Sequence, residues 1–505
     1  MKHQSTKSVF IVGALKRISR FSSLVWGKFI GRIRACLLAM NIIEQLLALI
    51  LFLAALTMLG MKINTYYRDQ TKLVPEYGGY YKEATVGELK YINPVLASSD
   101  IDTSISRLIF SPLVAIDKDS NVLPKIAKSW EISPDKLTYT FTLRDNSYFH
   151  DGVALSPEDV VYTVNQIKDP SFQSPLYDAW KDVLVESDGE SKVMFTLPKV
   201  YGPFIYYCDF GILPSHISPD ELSKKFIGSG PYKYVSVKKT NQKVDDIKLI
   251  AFDKYYSSKP YITNLEIDFY AKAEEAKKAF ESEKANALSG ASIEVGDNTD
   301  LSFATSKELA LIPNMKIDKF KDKAYRTNIL SPDYIFPEQT KVALTTLDAS
   351  YQKSKAEGLK ASFAKRNIEL ELRYMNPAQM KQVLDEKKYE LLLYGFDFSH
   401  DPDPYVFWHT SQLEEMNFAG YTDKKSDKLL EEARMTTDDK ARKEKYAQFF
   451  KIVSDESMAV FFDPIKYNFY VQKEIKDASV SKFSEVSFRF FDIEKWFIKE
   501  KRVRK

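Results

Sequence analysis

The chain of 505 residues is 44% hydrophobic and 13% aromatic, which excludes an intrinsically disordered protein and gives enough apolar surface for two or more domains. Its net charge of +3 is unevenly placed: residues 1–45 carry eight Lys and Arg against one Glu, so the remainder, with 64 basic and 68 acidic residues, is mildly acidic. A body with that balance lacks the spread basic surface of a nucleic-acid binder.

The first segment, VFIVGALKRISRFSSLVWGKFIGRIR, mixes basic and apolar residues, as either an interfacial amphipathic helix or a disordered basic tail does. The run QLLALILFLAALTMLGM (45–61) has no charge and as a helix spans about 26 Å, close to the hydrocarbon thickness of about 30 Å. It reads as a membrane helix. Some 45 residues precede it and no small-x-small site follows, which favours an uncleaved anchor over a cleaved signal peptide. The basic segment then stays in the cytoplasm, and residues 62–505 lie on the extracytoplasmic side of the cell membrane in a single-pass arrangement. Cys36 and Cys208 fall on opposite sides, so the exported body holds no disulfide of its own.

Residues 62–79, with Pro75 and Gly78-Gly79, read as a stalk. LTYTFTLR (137–144) alternates, with Leu137, Tyr139, Phe141 and Leu143 on one face, and predicts a half-buried antiparallel strand; KVMFTLPK (192–199) predicts another. Between them, SYFHDGVALSPEDVVYTV holds the doublet His150-Asp151. Asp151-Gly152 is a turn dipeptide, and Ser156, Pro157 and Asp159 form a capped helix start, so the doublet reads as a structural corner. Farther on, NLEIDFY predicts a strand, AEEAKKAFESEK (273–284) a helix and ALSG a strand. NIELELRYM, PAQMKQVLDEKK and YELLLYGF repeat strand, helix, strand. Helices are expected over 424–434 and 439–454, and AVFFDPIKYNFYV (459–471) returns the chain toward its first half.

The stretch NVLPKIAKSWEISPDKLTYTFTLRDNSYFHDGVALSPEDVVYTV closely resembles the signature region of family 5 extracellular solute-binding proteins, which serve peptide and nickel ABC importers. In that family a P-x-L-A-x-S-W segment, a Y-T-F-x-L-R strand, an aromatic-His-Asp-Gly turn and a capped D-V-x-x-T helix follow in this order. LKYINPVL (89–96), GSGPYKY (228–234), DKYYSSKPYITNLEIDFY (253–270), YGFDFSHDPDPYVFWHTS (394–411) and NFAGYTDKKSDKLLEEA (417–433) extend the likeness over about 80–290 and 345–495.

The resemblance implies an α/β, two-lobed periplasmic-binding-protein-like fold of class II type with an extra small β-rich subdomain, preceded by the transmembrane helix. On that plan 1–44 is cytoplasmic, 45–61 the anchor and 62–79 the stalk. Lobe I covers 80–270, with the subdomain at about 111–200, and lobe II covers 271–455. Residues 456–505 return to lobe I and end in a basic tail. One departure stands out: between 299 and 342 the family's V-R-x-A-L…A-I-D-R-like helix is not recognisable, which implies a shortened second lobe. The resemblance further implies capture of a peptide in the interlobe cleft and delivery to ABC permease subunits. An acidic residue after the late strand pairs with the ligand's amino terminus, a role that falls to Asp397 or Asp401. As a turn, Asp401-Pro402-Asp403-Pro404 would instead cap backbone amides. His400 lies in the same loop. Phe396, Trp408, Tyr421 and Trp180 are candidates for apolar cleft walls or for core.

No Gly-x-Ser-x-Gly, His-Glu-x-x-His or zinc-spaced Cys/His cluster is present, and GSG at 228–230 lacks the Lys-Ser/Thr of a phosphate loop, so neither enzyme nor cofactor is expected. His150, His400 and His409 have no metal-ligand spacing. The remaining alternatives are binding of a metal chelate or oligosaccharide, and a repurposed role in sensing or adhesion.

Overall fold

A computed structural model describes residues 39–117, 121–290, 295–296, 298–398, 401, 403–481 and 485–505. The chain forms two compact units, 1–74 with 500–505, and 75–499.

In the first unit, helix Ile42–Gln70 begins at a capping box in which the Asn41 and Glu44 side chains each accept the other's backbone N–H at 2.9 Å. Among the described residues it is the one helix long and apolar enough to cross a membrane, and none of its residues is buried. It outruns the expected span because Lys62–Gln70 holds no Pro or Gly to stop it. The expected stalk is therefore helical to Gln70 and then extended: strand Thr71–Glu76 pairs with strand Lys499–Arg504, so the expected basic tail is also a strand. Cys36 and the amphipathic segment lie outside the described residues.

The second unit is built around two large sheets, one in each lobe. Lobe I is built on seven strands in the order Thr299–Asp300, Lys466–Val471, Ala287–Gly290, Tyr80–Val86, Asn264–Tyr270, Lys243–Ala251 and Tyr232–Thr240, with Phe303–Ala304 also on Lys466–Val471. Lobe II is built on Ile368–Met375, Thr340–Leu347, Leu391–Asp397, Lys307–Pro313 and Val460–Phe461. Its central strands are apolar on both faces: Leu309, Leu311, Leu391 and Leu393 enter one core, while Ala310, Ile312, Leu392 and Phe396 enter the other. That two-sided burial explains why YELLLYGF does not alternate.

The sheets correct two expectations. Residues 273–304 belong to lobe I, because strand Ala287–Gly290 runs parallel to Tyr80–Val86 and helix Ala273–Glu281 packs Ala276, Ala279 and Phe280 against Ala84 and Leu288. Within 299–342, where no helix was expected, the chain forms the central strand Lys307–Pro313 and helices Asp318–Lys321 and Lys323–Leu330. Asp322 caps the second helix, accepting Ala324 N–H at 2.9 Å.

The β-rich subdomain carries a four-stranded sheet, Ala127–Ile132, Thr138–Leu143, Lys192–Thr196 and Leu184–Ser187, with Tyr139, Phe141 and Leu143 buried as their spacing predicts. The corner that follows is organised by backbone contacts. Asp151 accepts Val153 N–H at 3.1 Å and Gly152 takes φ +94°, a conformation that favours glycine. The His150 ring accepts Gly228 N–H on Nδ1 at 3.2 Å and lies 3.0 Å from Gly230 O through Nε2, which fixes the neutral Nε2–H tautomer. Burial lowers its pKa to about 4. Asp159 accepts both N–H and Oγ–H of Ser156, so helix Pro157–Lys168 starts where the capping pattern puts it.

Candidate functional site

The lobes are joined by two crossing segments that pair with each other. Thr305 N–H and Oγ–H both donate to Ile465 O at 2.8 Å, Ile465 N–H donates to Lys307 O at 2.8 Å, and Phe462 N–H to Leu309 O at 2.9 Å. Two short extended strands held at so few points can bend together, which is the geometry of a hinge. The late strand of lobe II ends against this hinge: Phe398 N–H donates to Ser306 O at 3.0 Å, and Ser306 Oγ–H to Asp397 Oδ1 at 2.5 Å. Beside it, Lys307 Nζ reaches across to both Asp100 oxygens, at 2.7 and 2.9 Å, in the first turn of helix Asp100–Ile109 of lobe I. Both side chains are more than one-third exposed, so the pair contributes at most about 1 kcal/mol and can open.

A second contact between the lobes is tyrosine-rich on one side and ionic on the other. On lobe II, Arg442, 1% exposed, donates through Nε to Asp401 Oδ2 at 2.5 Å, through Nη2 to Asp439 at 2.9 Å and through Nη1 to Thr436 O at 3.0 Å. Tyr446 OH donates to the other Asp401 oxygen at 3.0 Å. Burial raises the Asp401 pKa, opposed by the Arg442 charge. Arg434 Nε lies 2.8 Å from Asp403 Oδ2, its guanidinium 3.7 Å above the Tyr405 ring. From lobe I, Tyr206 OH donates to Asp439 at 2.7 Å and Tyr201 OH to Asp403 at 3.3 Å. Gly202 lies between these tyrosines, so close to lobe II that a Cβ there would be 1.9 Å from Thr436 O. Beside Tyr206 and Tyr207, a recess of about 200 Å³ opens in lobe I, with the bidentate Arg107–Asp209 pair (2.6 and 2.7 Å) in its wall.

The sequence candidates are only partly gathered here. Asp397 is exposed at the hinge. Asp401 is at the interlobe contact, but its two oxygens are taken by Arg442 and Tyr446. A ligand amine meeting it would have to displace a buried ion pair, which favours Asp397 of the two expected acids. His400 lies outside the described residues. Of the aromatics left between cleft wall and core, three are core, because large flat side chains gain most from complete burial. Trp180 is fully buried among Phe195, Phe204 and Phe210, with ring centroids 5.1–5.2 Å away. Trp408 and Phe396, each 2% exposed, sit in a lobe II core with Phe418 and Phe449. Tyr421 is half-buried at the edge of that core. Among the described residues no group of three or more His, Cys, Asp or Glu side chains converges to hold a metal ion.

Reasoning on the sequence missed Gly202, Tyr201, Tyr206, Arg434, Arg442, Lys307 and Asp100. One signal was available. Arg442, Tyr446, Phe449 and Val453 form the buried stripe of helix Asp439–Asp455, and a cation on an apolar stripe requires a buried partner.

Residues 121–331 match the family described as bacterial extracellular solute-binding proteins, family 5 Middle. Over that stretch the chain is similar to the family 5 extracellular solute-binding proteins. The chain is 23% identical over 517 aligned positions to the oligopeptide-binding protein AppA of Bacillus subtilis, covering 84% of itself and 93% of AppA. An alignment longer than the covered part of a 505-residue chain means that AppA carries segments absent here. In fold it is similar to the ABC transporter substrate-binding protein CtaP of Listeria monocytogenes (TM-score 0.70, 24% identity), covering 84% of this chain and all of CtaP. It is also similar to NikZ of Campylobacter jejuni in complex with Ni(L-His) (TM-score 0.65, 23% identity), covering 83% of this chain and 99% of NikZ. AppA has itself been solved with a nonapeptide, at a TM-score of 0.65 to this chain.

Proposed function

We propose that this protein is the membrane-tethered, family 5 solute-binding component of an ABC importer, and that it captures peptides between its lobes and hands them to the permease without chemical change. The observation that carries this reading is the pairing of Thr305 and Lys307 with Ile465, because two crossings that bend together let the lobes close on a solute and release it. The tyrosine contact with Asp403 and Asp439 then holds the lobes together when closed. Peptide as the solute class is supported by the likeness to AppA over most of both chains. Helix Ile42–Gln70 supplies the tether, with residues 62–505 outside the cell. Asp397, exposed where the late strand meets the hinge, is the better acidic candidate for the ligand's amino terminus once Asp401 is set aside.

The test is a thermal-shift and calorimetric screen of the full chain in nanodiscs against peptide libraries, oligosaccharides and nickel chelates. A peptide ligand at about one hundred times its Kd should stabilise the body by about 2.7 kcal/mol. If only a non-peptide class binds, the peptide assignment falls. If no class shifts the melting temperature at millimolar concentration, the importer reading falls with it.

A further inference from the structure

The paired strands Thr71–Glu76 and Lys499–Arg504 contribute nothing to either sheet of the body, and the interlobe site leaves them without a role. Their charge is one-sided. Residues 62–74 and 500–505, which lie in the same compact unit as the apolar helix, carry seven basic side chains (Lys62, Arg68, Lys72, Lys501, Arg502, Arg504, Lys505) against Asp69 and Glu500. All seven are exposed except Arg502, which is half-buried and donates through Nη1 to Thr71 Oγ1 at 3.1 Å. Lys505 N–H donates to Gln70 O at 3.0 Å. The basic end of the second strand is thus fastened to the residue at which the helix ends.

The distances bring this charge to a lipid surface. With the apolar run ending at Met61, the nine residues to Gln70 rise about 13 Å along the helix, and the polar layer of a bilayer leaflet is about 5–7 Å deep. The ribbon therefore starts within one Debye length, about 8–10 Å, of the headgroup phosphates. Tyr66 and Tyr67, both more than half exposed, come one to two turns after Met61, at the depth where tyrosines collect at membrane interfaces. We infer that the ribbon of Thr71–Glu76 and Lys499–Arg504 docks on anionic phospholipid headgroups of the outer leaflet, with Lys501, Arg504 and Lys505 supplying the contact. The inference rests on the reading of Ile42–Gln70 as a membrane anchor. It adds a lipid partner and a sensitivity to lipid charge that an anchor alone does not have.

The experiment uses the full chain with C36S and L73C, which leaves Cys208 buried and puts a donor fluorophore on an exposed ribbon position. The chain is reconstituted in nanodiscs of phosphatidylcholine alone or with phosphatidylglycerol, each carrying a headgroup-labelled acceptor. The ribbon-to-headgroup distance should shorten in the anionic discs by roughly half a Debye length, about 5 Å, and should lengthen again at high salt. The variant K501Q/R504Q/K505Q, which keeps Arg502 on Thr71, should give the same distance in both lipids. Equal distances for the parent chain in both lipids at low salt would overturn the docking, as would a lipid dependence that survives high salt. Those results leave the anchor intact, whereas failure to enter discs of either composition overturns the anchor reading itself.

Discussion

Replacing Gly202 by Ala should separate ligand binding from folding. The added Cβ would lie 1.9 Å from Thr436 O and 2.6 Å from Thr436 C, so the lobes must part by more than 1 Å before the contact becomes tolerable. That movement breaks the 2.7 Å bond from Tyr206 to the Asp439 carboxylate and the 3.3 Å bond from Tyr201 to Asp403. A hydrogen bond to a charged group contributes about 1.5–3 kcal/mol, so losing the first bond and weakening the second shifts the balance toward open lobes by about 3 kcal/mol. Apparent Kd scales inversely with the closed, binding-competent fraction. Where closed lobes are the minor species in the free parent, the Kd for a peptide hit should rise on the order of a hundredfold. Each lobe keeps its own core, so unfolding without ligand should change by less than about 1 kcal/mol. Calorimetry with the hit, thermal unfolding and small-angle scattering of free and liganded protein measure these three quantities. Parent-like affinity would refute the argument, because it would mean that the contact between Gly202 and Thr436 is not part of the bound state.

Tyr206→Phe removes the hydroxyl without adding bulk. It should weaken peptide binding about tenfold, with the melting temperature unchanged, since a charged hydrogen bond contributes about 1.5–3 kcal/mol. Asp401→Ala strands Arg442 in the lobe II core and should destabilise the chain by about 3–5 kcal/mol in denaturant unfolding, and D401A/R442M should recover part of that loss. An unchanged midpoint for D401A would return Asp401 to the list of ligand contacts. His150, lowered to about 4 when folded, binds its proton more readily in the unfolded chain. Its contribution is therefore complete above the unfolded value near 6.5 and is lost as pH falls toward 4. Unfolding curves between those limits should lose up to about 3 kcal/mol, and H150Q should flatten the slope.

What could be read from the sequence was local. The alternating strand at 138–143, the Ser156–Asp159 cap and the two long helices of lobe II appear within a few residues of where spacing puts them, because period and capping act over one or two turns. The lobe boundary did not appear. Ala287 joins Tyr80–Val86 by parallel pairing, and Thr305 meets Ile465 across 160 residues, so neither contact leaves a trace in its own neighbourhood. The helix Lys323–Leu330 was missed because it is short and its first turn is set by a single Asp322 cap. The aromatics stayed open between cleft wall and core for a related reason: Trp180, Phe396 and Trp408 lie in or near family motifs, and nothing in a motif says which way a ring points.

The interlobe contact explains why the acidic loop was the hardest part to read. DPDP at 401–404 offers two carboxylates that look available in sequence, yet both are committed to arginines more than thirty positions away, on two successive helices. Arg442 reaches Asp401 and Asp439 together, and Asp439 in turn accepts Tyr206 from the other lobe. The loop carboxylate is thus linked to the lobe contact through one buried guanidinium. Asp401 therefore affects binding by orienting Arg442 and, through it, the acceptor that Tyr206 needs. In a double-mutant cycle, D401N and Y206F should consequently be non-additive in peptide affinity although their side chains do not bond each other, and additivity within about 0.5 kcal/mol would break the chain of contacts at Arg442.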